Sequence, residues 1–395
     1  MNRTIRTTNF KISLWLAGLV CLLVGLVMAN QDRPVWAQES KAGGTTYYVA
    51  PNGDDANDCL SPASPCAAIT AAVGKAADGD SIALAAGTYT ETLVLTKSLT
   101  LLGAGVGATK IDADGFDRVV TIAADTTVAI SGVAIQGGAG VSEGAGIYNA
   151  GTLTLNASAV QTNGAYEPGQ TGVGGGIYNT ASGVLTLIDS TVTNNAAGSD
   201  LSNSIGGGIA NYGTLTLIRS EVSLNGAGSL QNSFGGGIAN FGPLTSINST
   251  IAYNAAASGI GGGYGGGLYT DGVSATVSLT HTTVVSNFAG GVSSSAGLGA
   301  GIYKINGAIT LHSSLLAHNA LGMCDVIPVY PYVSNCRPTT PLNCSGVISS
   351  AGYNLLADGD GCSFTPTTGD QVGTGATPIE PRLVPLGDFG GPGWT

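Results

Sequence analysis

One six-residue block keeps returning along this chain and limits what the chain can fold into. Gly144-Ala145-Gly146-Ile147-Tyr148-Asn149 is repeated as Gly174-Gly175-Gly176-Ile177-Tyr178-Asn179, then at 206–211 and 235–240, and in weaker form at 265–270 and 299–304. Its aliphatic residue falls at 147, 177, 209, 238, 268 and 302, a spacing of 30, 32, 29, 30 and 34 residues. The period survives while the length varies, as expected of units that stack on one another and take up differences in loops.

Each block is followed by an alternating stretch: Leu153-Thr154-Leu155, Leu185-Thr186-Leu187, Leu215-Thr216-Leu217 and Ile309-Thr310-Leu311. Alternation sends the aliphatics in and the threonines out. A third short stretch closes on asparagine, at 160–163, 192–195, 222–225, 251–254, 284–287 and 316–319. Three strands per period make one coil of a parallel β-solenoid. A lone coil buries nothing, so coils must stack at ~4.8 Å.

This reading is all-β: a single-stranded right-handed parallel β-helix of roughly 8–10 coils, with an N-terminal cap and a disulfide-rich C-terminal segment. Ile209 should point inward between Ile177 and Ile238. Glycines should supply the positive-φ corners, and asparagines in successive coils should bond as ladders. The segments 164–173, 196–205, 226–234, 255–264 and 288–298 vary most and read as loops freed from packing. The chain divides into residues 1–37, 38–80 (cap and disulfide loop), 81–320 (β-helix) and 321–395 (cysteine-containing module).

Residues 1–37 read as a secretory signal, with Arg3, Arg6 and Lys11 ahead of the apolar run Leu14–Ala29 and cleavage expected after Ala37. They hold four basic residues and one acid, so 9 basic and 23 acidic residues remain of 13 and 24, a net charge of −14. Such a surface does not neutralise phosphates, so nucleic acid is not expected as a partner and anionic lipid is a poor candidate. With 63 glycines and 9% charged residues the chain is no helical globule, and its aliphatic content argues against disorder. Six cysteines lie outside the signal, so disulfides are the default after export. Cys59 and Cys66 flank a turn-rich loop. Cys324, Cys336, Cys344 and Cys362 allow three connectivities, of which the neighbour pairs 324–336 and 344–362 are favoured. No metal-binding cysteine spacing occurs.

The Gly-Gly-Gly-Ile and Val-x-x-Asn elements resemble the paired signatures of bacterial polymorphic outer-membrane-protein repeats, with an aliphatic residue where the second usually has phenylalanine. Tyr47-Tyr48-Val49-Ala50-Pro51-Asn52-Gly53, Ala76-Ala77-Asp78-Gly79-Asp80 and Ala85-Ala86-Gly87-Thr88-Tyr89 resemble the opening of pectin-lyase-like β-helices. Gly352-Tyr353-Asn354-Leu355-Leu356, Gly369-Asp370-Gln371-Val372-Gly373 and Gly390-Gly391-Pro392 resemble the choice-of-anchor Q module of bacterial surface proteins. These resemblances imply the fold and export to the cell envelope, outer-membrane surface or medium. They do not imply a chemistry, because such folds carry many functions.

For an enzyme, the pectin-lyase-like resemblance implies carboxylates clustered on calcium, or a lysine or arginine that takes the proton alpha to a uronate carboxyl; a hydrolase needs two facing carboxylates. The repeats from Glu143 to Asn319 offer only Arg219 and Lys304 as bases, with six scattered acids. If the coils stack in phase, Asp189, Arg219, Asn248 and His281 form one column, with Glu221 nearby. This is the catalytic candidate, and a surface polar ladder is the preferred reading of it. Asp54, Asp55 and Asp58, and likewise Asp358, Asp360 and Asp370, are candidate calcium ligands in turns; solvated loop acids explain them more simply, and no cofactor other than calcium is suggested. Asp112, Asp114, Asp117 and Arg118 read as a turn between coils, and His312 and His318 lack a nucleophile beside them.

Taken together, the residues favour a non-enzymatic, monomeric, exported protein that binds carbohydrate or a cell-surface protein, or acts as a spacer. Outward Tyr148, Tyr178, Tyr269 and Tyr303 would form a sugar-stacking stripe. The alternative is an extracellular polysaccharide lyase or glycoside hydrolase. A weaker idea is a threonine array at 154, 186, 216, 245 and 310, with Ser278 in line, that orders water as ice-binding surfaces do; β-propensity accounts for most of it.

Overall fold

The computed structural model describes residues 44–291, 297–325 and 335–384, without the side chains of 324, 325, 335 and 336. The expected export signal lies outside the described residues. The chain enters through Thr46–Val49, which pairs in parallel with Ser81–Leu84. Between them stand the Cys59–Cys66 disulfide and a helix, Ile69–Lys75, that buries Ile69 and Ala72. Its first amides donate to the Glu91 carboxylate at 2.7 and 2.9 Å. At its other end Lys97 Nζ donates to the carbonyls of Val73 and Ala76 at 2.9 and 2.6 Å. An anion at the amide end and a cation at the carbonyl end satisfy groups that a short helix cannot satisfy itself. The helix packs on both entry strands, covering the open end of the stack.

Beyond the cap, the chain is a right-handed parallel β-helix. Ile147, Ile177, Ile209, Ile238, Leu268 and Ile302 are partners in successive coils, and all are fully buried. Ile209 lies inward between Ile177 and Ile238, as its spacing required. The row through Val160, Val192, Val222, Ile251, Val284 and Leu316 belongs to an 11-stranded sheet. That sheet begins at Gly87–Thr90, well before the first glycine block. The early coils keep the alternation of buried and exposed residues without the repeat signature.

Two buried asparagine ladders stitch the coils. In one, the Nδ2 of Asn149, Asn179 and Asn211 each donates to the next Oδ1, ending at Asn240, at 2.7–2.8 Å. In the other, Asn163, Asn195, Asn225, Asn254, Asn287 and Asn319 hand on the same bond to Asn343 at 2.9–3.0 Å. Asn343 lies outside the repeats and has no counterpart in the sequence pattern.

The corners depart from expectation. Of the three positive-φ corners that recur through the six repeat coils, only one is glycine, the row from Gly144 to Gly299. There, a Cβ on Gly174 would collide with the carbonyl oxygen of Ile177. The second corner is held by Ala157, Asp189, Arg219, Asn248, His281 and Ser313, and the third by Thr162, Asn194, Leu224, Tyr253, Ser286 and His318. Left-handed backbone is costly for such residues, and the following residue offsets the cost. Ser190 Oγ accepts the amide of Ser158, and Asn195 Oδ1 that of Asn163, at 3.1 Å each.

The variable segments are not free loops. Gly164–Ala165, Ala196–Ser199, Gly226–Ser229, Ala255–Ser258, Phe288–Gly291 and Ala320–Asp325 form a fourth ladder. Gly172–Val173, Ser204–Ile205, Ser233–Phe234 and Gly263–Tyr264 return beside it as a fifth. The outgoing and returning arms meet through small residues: Ala197, Ala227, Ala256, Ser199, Ser229 and Ser233 are all buried, and Ser229 and Ser233 share a hydroxyl contact at 3.2 Å. Residues this short and polar resemble a loop in sequence, yet their size is what lets two backbones pack so closely.

Near the end of the stack, Ala320–Asp325 pairs antiparallel with Asn335–Pro341, placing Cys324 opposite Cys336 in register; their sulfurs lie outside the described residues. Cys344 occupies the row above Ile302 and is joined to Cys362.

Candidate functional site

The catalytic candidates do align, but as a row along one corner. Arg219 meets Asp189 with both nitrogens, Nε to Oδ1 at 2.6 Å and Nη2 to Oδ2 at 2.8 Å. Their side chains are 50% and 28% exposed, which makes this a surface pair. The hydrogen bond holds the Asp189 carboxyl below its usual range and raises the guanidinium, so Arg219 is a poor proton acceptor. Asn248 and His281 occupy the same corner in the next coils, leaving His281 three coils, or on the order of 14 Å, from Asp189. The His281 ring meets His312 edge-on, with centroids 5.9 Å apart. Glu221 lies in the following strand between Thr191 and Thr250 and is buried.

The acidic turns serve the backbone. Asp54 accepts the amide of Ala56, Asp55 those of Ala67 and Ala68, and Asp58 that of Leu60. Asp358 accepts the amide of Asp360, and Asp360 that of Gly375. Asp370 is held below its ordinary value: burial pushes the other way, and hydrogen bonds from Ser350, Thr367 and Asn354 outweigh it. Among the described residues, no three acids, histidines or cysteines gather as a metal site. Thr154, Thr186, Thr216, Thr245, Ser278 and Thr310 stand in one register row, but the row beside it mixes Thr152, Val184, Thr214, Thr276 and Ala308.

The residues that do converge are aromatic. Tyr148 contacts Tyr178 at 5.3 Å, Tyr178 contacts Tyr212 at 5.5 Å, and Tyr212 stacks on Phe241 at 4.5 Å. Phe241 then meets Tyr269, and Tyr269 meets Tyr303, each at 5.9 Å. Six coils thus carry one unbroken file of rings. The spacing of Tyr148, Tyr178, Tyr269 and Tyr303 marks its ends. In the two middle coils the tyrosine position is Ala210 and Ala239, and the ring comes from two residues further on, Tyr212 and Phe241. The exchange is legible in the sequence as one aromatic per coil at either of two positions.

A second wall faces this file. Phe234 and Tyr264, from the returning arm, lie 4.9 Å from Tyr269 and 5.4 Å from Tyr303. The chain thus folds back at the glycine corner, and the returning arm packs against the last two rings of the file. At the other end of the file stands Arg118, whose guanidinium lies 4.8 Å from the Tyr148 ring centre and donates to the Glu143 and Gly144 carbonyls. Asp117 and Asp112 build the expected turn before it. Burial, then Tyr178 and Glu143, push the Tyr212 hydroxyl up to about 12. Burial and Asp271 raise Tyr269, whose hydroxyl donates to Asp271 at 3.1 Å. Most of these rings are half-buried, and Tyr269 is buried, 4% exposed.

No family model matches this chain, and no curated protein matches it in sequence. Among solved structures it is similar to pectate lyase Pel9A, at 18% identity over 83% of this chain and 78% of that one, with a TM-score of 0.45. It is similar to pectin methylesterase PemA from Erwinia chrysanthemi at 10% identity over 84% and 93%, TM-score 0.37. A rhamnogalacturonan lyase matches at 14% identity over 83% and 87%, TM-score 0.33. None of these likenesses carries a site residue to this chain.

Proposed function

We propose that this chain is an exported, non-catalytic β-helix that binds a polysaccharide strand along the file of rings beside the glycine corner, which serves it as a shallow aromatic groove. The observation that carries the reading is the continuous file of rings from Tyr148 to Tyr303, walled by Phe234 and Tyr264. A pyranose ring offers an apolar face of C–H bonds, and the electron-rich face of an aromatic ring is its natural partner. Rings repeating once per coil fit a ligand that itself repeats. The rings are held by their neighbours, so little side-chain freedom is lost when a ligand settles on them. Export is supported by the signal-like residues 1–37 and by the Cys59–Cys66 and Cys344–Cys362 bonds, which belong to an oxidising compartment.

The test is a glycan array with the chain from Gln38 onward, repeated with Tyr178→Ala and Tyr303→Ala, two rings of the file that are only half-buried. Binding should appear for extended polymers and weaken in both variants. The same polymers should be assayed for unsaturated products and new reducing ends. Turnover abolished by Arg219→Ala would establish the enzymatic alternative instead, and binding indifferent to both tyrosines would refute the groove.

A further inference from the structure

Resting on that glycan reading, we infer that the groove selects an uncharged pyranose polymer and rejects polyuronates. The reason is the placement of charge around the rings. Glu143 occupies the wall row beside Val173 at one end. Asp271 stands at the other, accepting from Tyr269 and, at 2.8 Å, from Asn306 Nδ2. Between them the two carboxylates act on four hydroxyls of the file: Glu143 on Tyr178 and Tyr212, Asp271 on Tyr269 and Tyr303, in each case added to burial. A uronate carboxylate laid on these rings meets like charge in a partly dehydrated site, where repulsion is screened least.

The nearby cations offset this only in part. Arg118, which donates to the Glu143 and Gly144 carbonyls and lies over Tyr148, keeps its charge and counters Glu143, so the excess negative charge on the file sits at the Asp271 end. Lys304 follows Tyr303 in the strand Ile302–Lys304, so alternation turns it off the face that carries the ring. The net charge of the chain after residue 37 adds a long-range field of the same sign.

A single polymer in two charge states isolates the effect: fully methyl-esterified polygalacturonate, and the same material after saponification. Both are titrated into the parent chain, the Glu143→Gln/Asp271→Asn double variant and Tyr178→Ala. The ester should bind about tenfold or more tighter than the saponified polymer, the gap should narrow in the double variant, and Tyr178→Ala should weaken the ester. Asn keeps one of the two oxygens with which Asp271 accepts from Tyr269 and Asn306, so a thermal melt of the double variant is run alongside to show that it is folded. If the saponified polymer binds as tightly and still depends on Tyr178, or if the gap survives the double variant, the charge inference fails and the groove stands. If neither this ester nor a neutral β-glucan binds, or Tyr178→Ala changes nothing, the groove reading fails and takes the inference with it.

Discussion

Two rows of outward side chains run along the same coils, one through Asp189, Arg219, Asn248 and His281, the other through Tyr148, Tyr178, Tyr212, Phe241, Tyr269 and Tyr303. Both repeat once per coil, and each is held in register by its own parallel ladder of the same coils. The first row projects from a corner into solvent, and its one strong contact is a surface ion pair. The second lies inside a bend, against a returning arm that contributes Phe234 and Tyr264. Stacking alone therefore makes a row of groups, whereas a second wall packed on two of the rings also withdraws them from water and holds them still.

The coil of Ile209 carries a member of each row, Tyr212 and Arg219, so the largest expected effect comes from breaking what both stand on. Ile209→Asp puts an unpaired charge in the stack and should cost several kcal/mol, with adjacent coils melting alongside it. A thermal melt superimposable on the parent's would mean that the core row is misassigned and both outward rows with it.

The aromatic row should be the more sensitive of the two. Tyr212→Ala removes the ring stacked on Phe241 and should cost ~1–3 kcal/mol for a half-buried aromatic, along with glycan binding. Adding Ala210→Tyr restores a ring at the position Tyr178 occupies in the preceding coil, and binding should return. If the second change restores nothing, the two positions are not interchangeable and the continuous file has no functional meaning.

Alkaline pH separates the rows without mutation. Below pH 10 tyrosine is neutral folded or unfolded; above it the unfolded chain ionises, whereas folded Tyr212 resists until about 12. Stability present below pH 10 should therefore fall between about 10 and 12, by about 1–2 kcal/mol for this residue. Phenolate absorbance and melting temperature followed together would reveal it. Tyrosines all titrating near 10 in the folded protein would contradict a buried file.

The smallest effect is expected at Arg219→Ala. The pair it breaks is exposed, so the melting temperature should stay within error of the parent, while the Asp189 carboxyl returns upward toward its ordinary value in an NMR titration. A loss as large as that of Tyr212→Ala would erase the distinction between the rows.

How much of this could be read in advance differs from row to row. The inward isoleucines, leucines and valines and the asparagine ladders were legible because a buried position tolerates few residue types, and the same type therefore returns with the period. The column at Asp189 was legible in register but not in worth, since register does not reveal solvent exposure. Four of the six rings of the file, Tyr148, Tyr178, Tyr269 and Tyr303, were legible from one recurring position. Tyr212 and Phe241 stand two residues further on in their coils, a pattern visible only once both positions are read together, and Phe234 and Tyr264 come from the returning arm, which no repeat marks. The fourth and fifth ladders were hidden by their own composition: Ala197, Ser199, Gly228 and Ser233 carry too little apolar surface to mark a strand, yet only residues so small allow the two arms to pack together.

The sequence by itself determined the period, the phase of each strand and the identity of the core, because these follow from side-chain volume and alternation within one coil. Which outward rows converge was decided by the tertiary structure. Convergence depends on the direction in which the chain turns at Gly174, Gly206, Gly235 and Gly265, and on an arm that returns to face the next strand. That geometry is shared between coils, and no single repeat contains it.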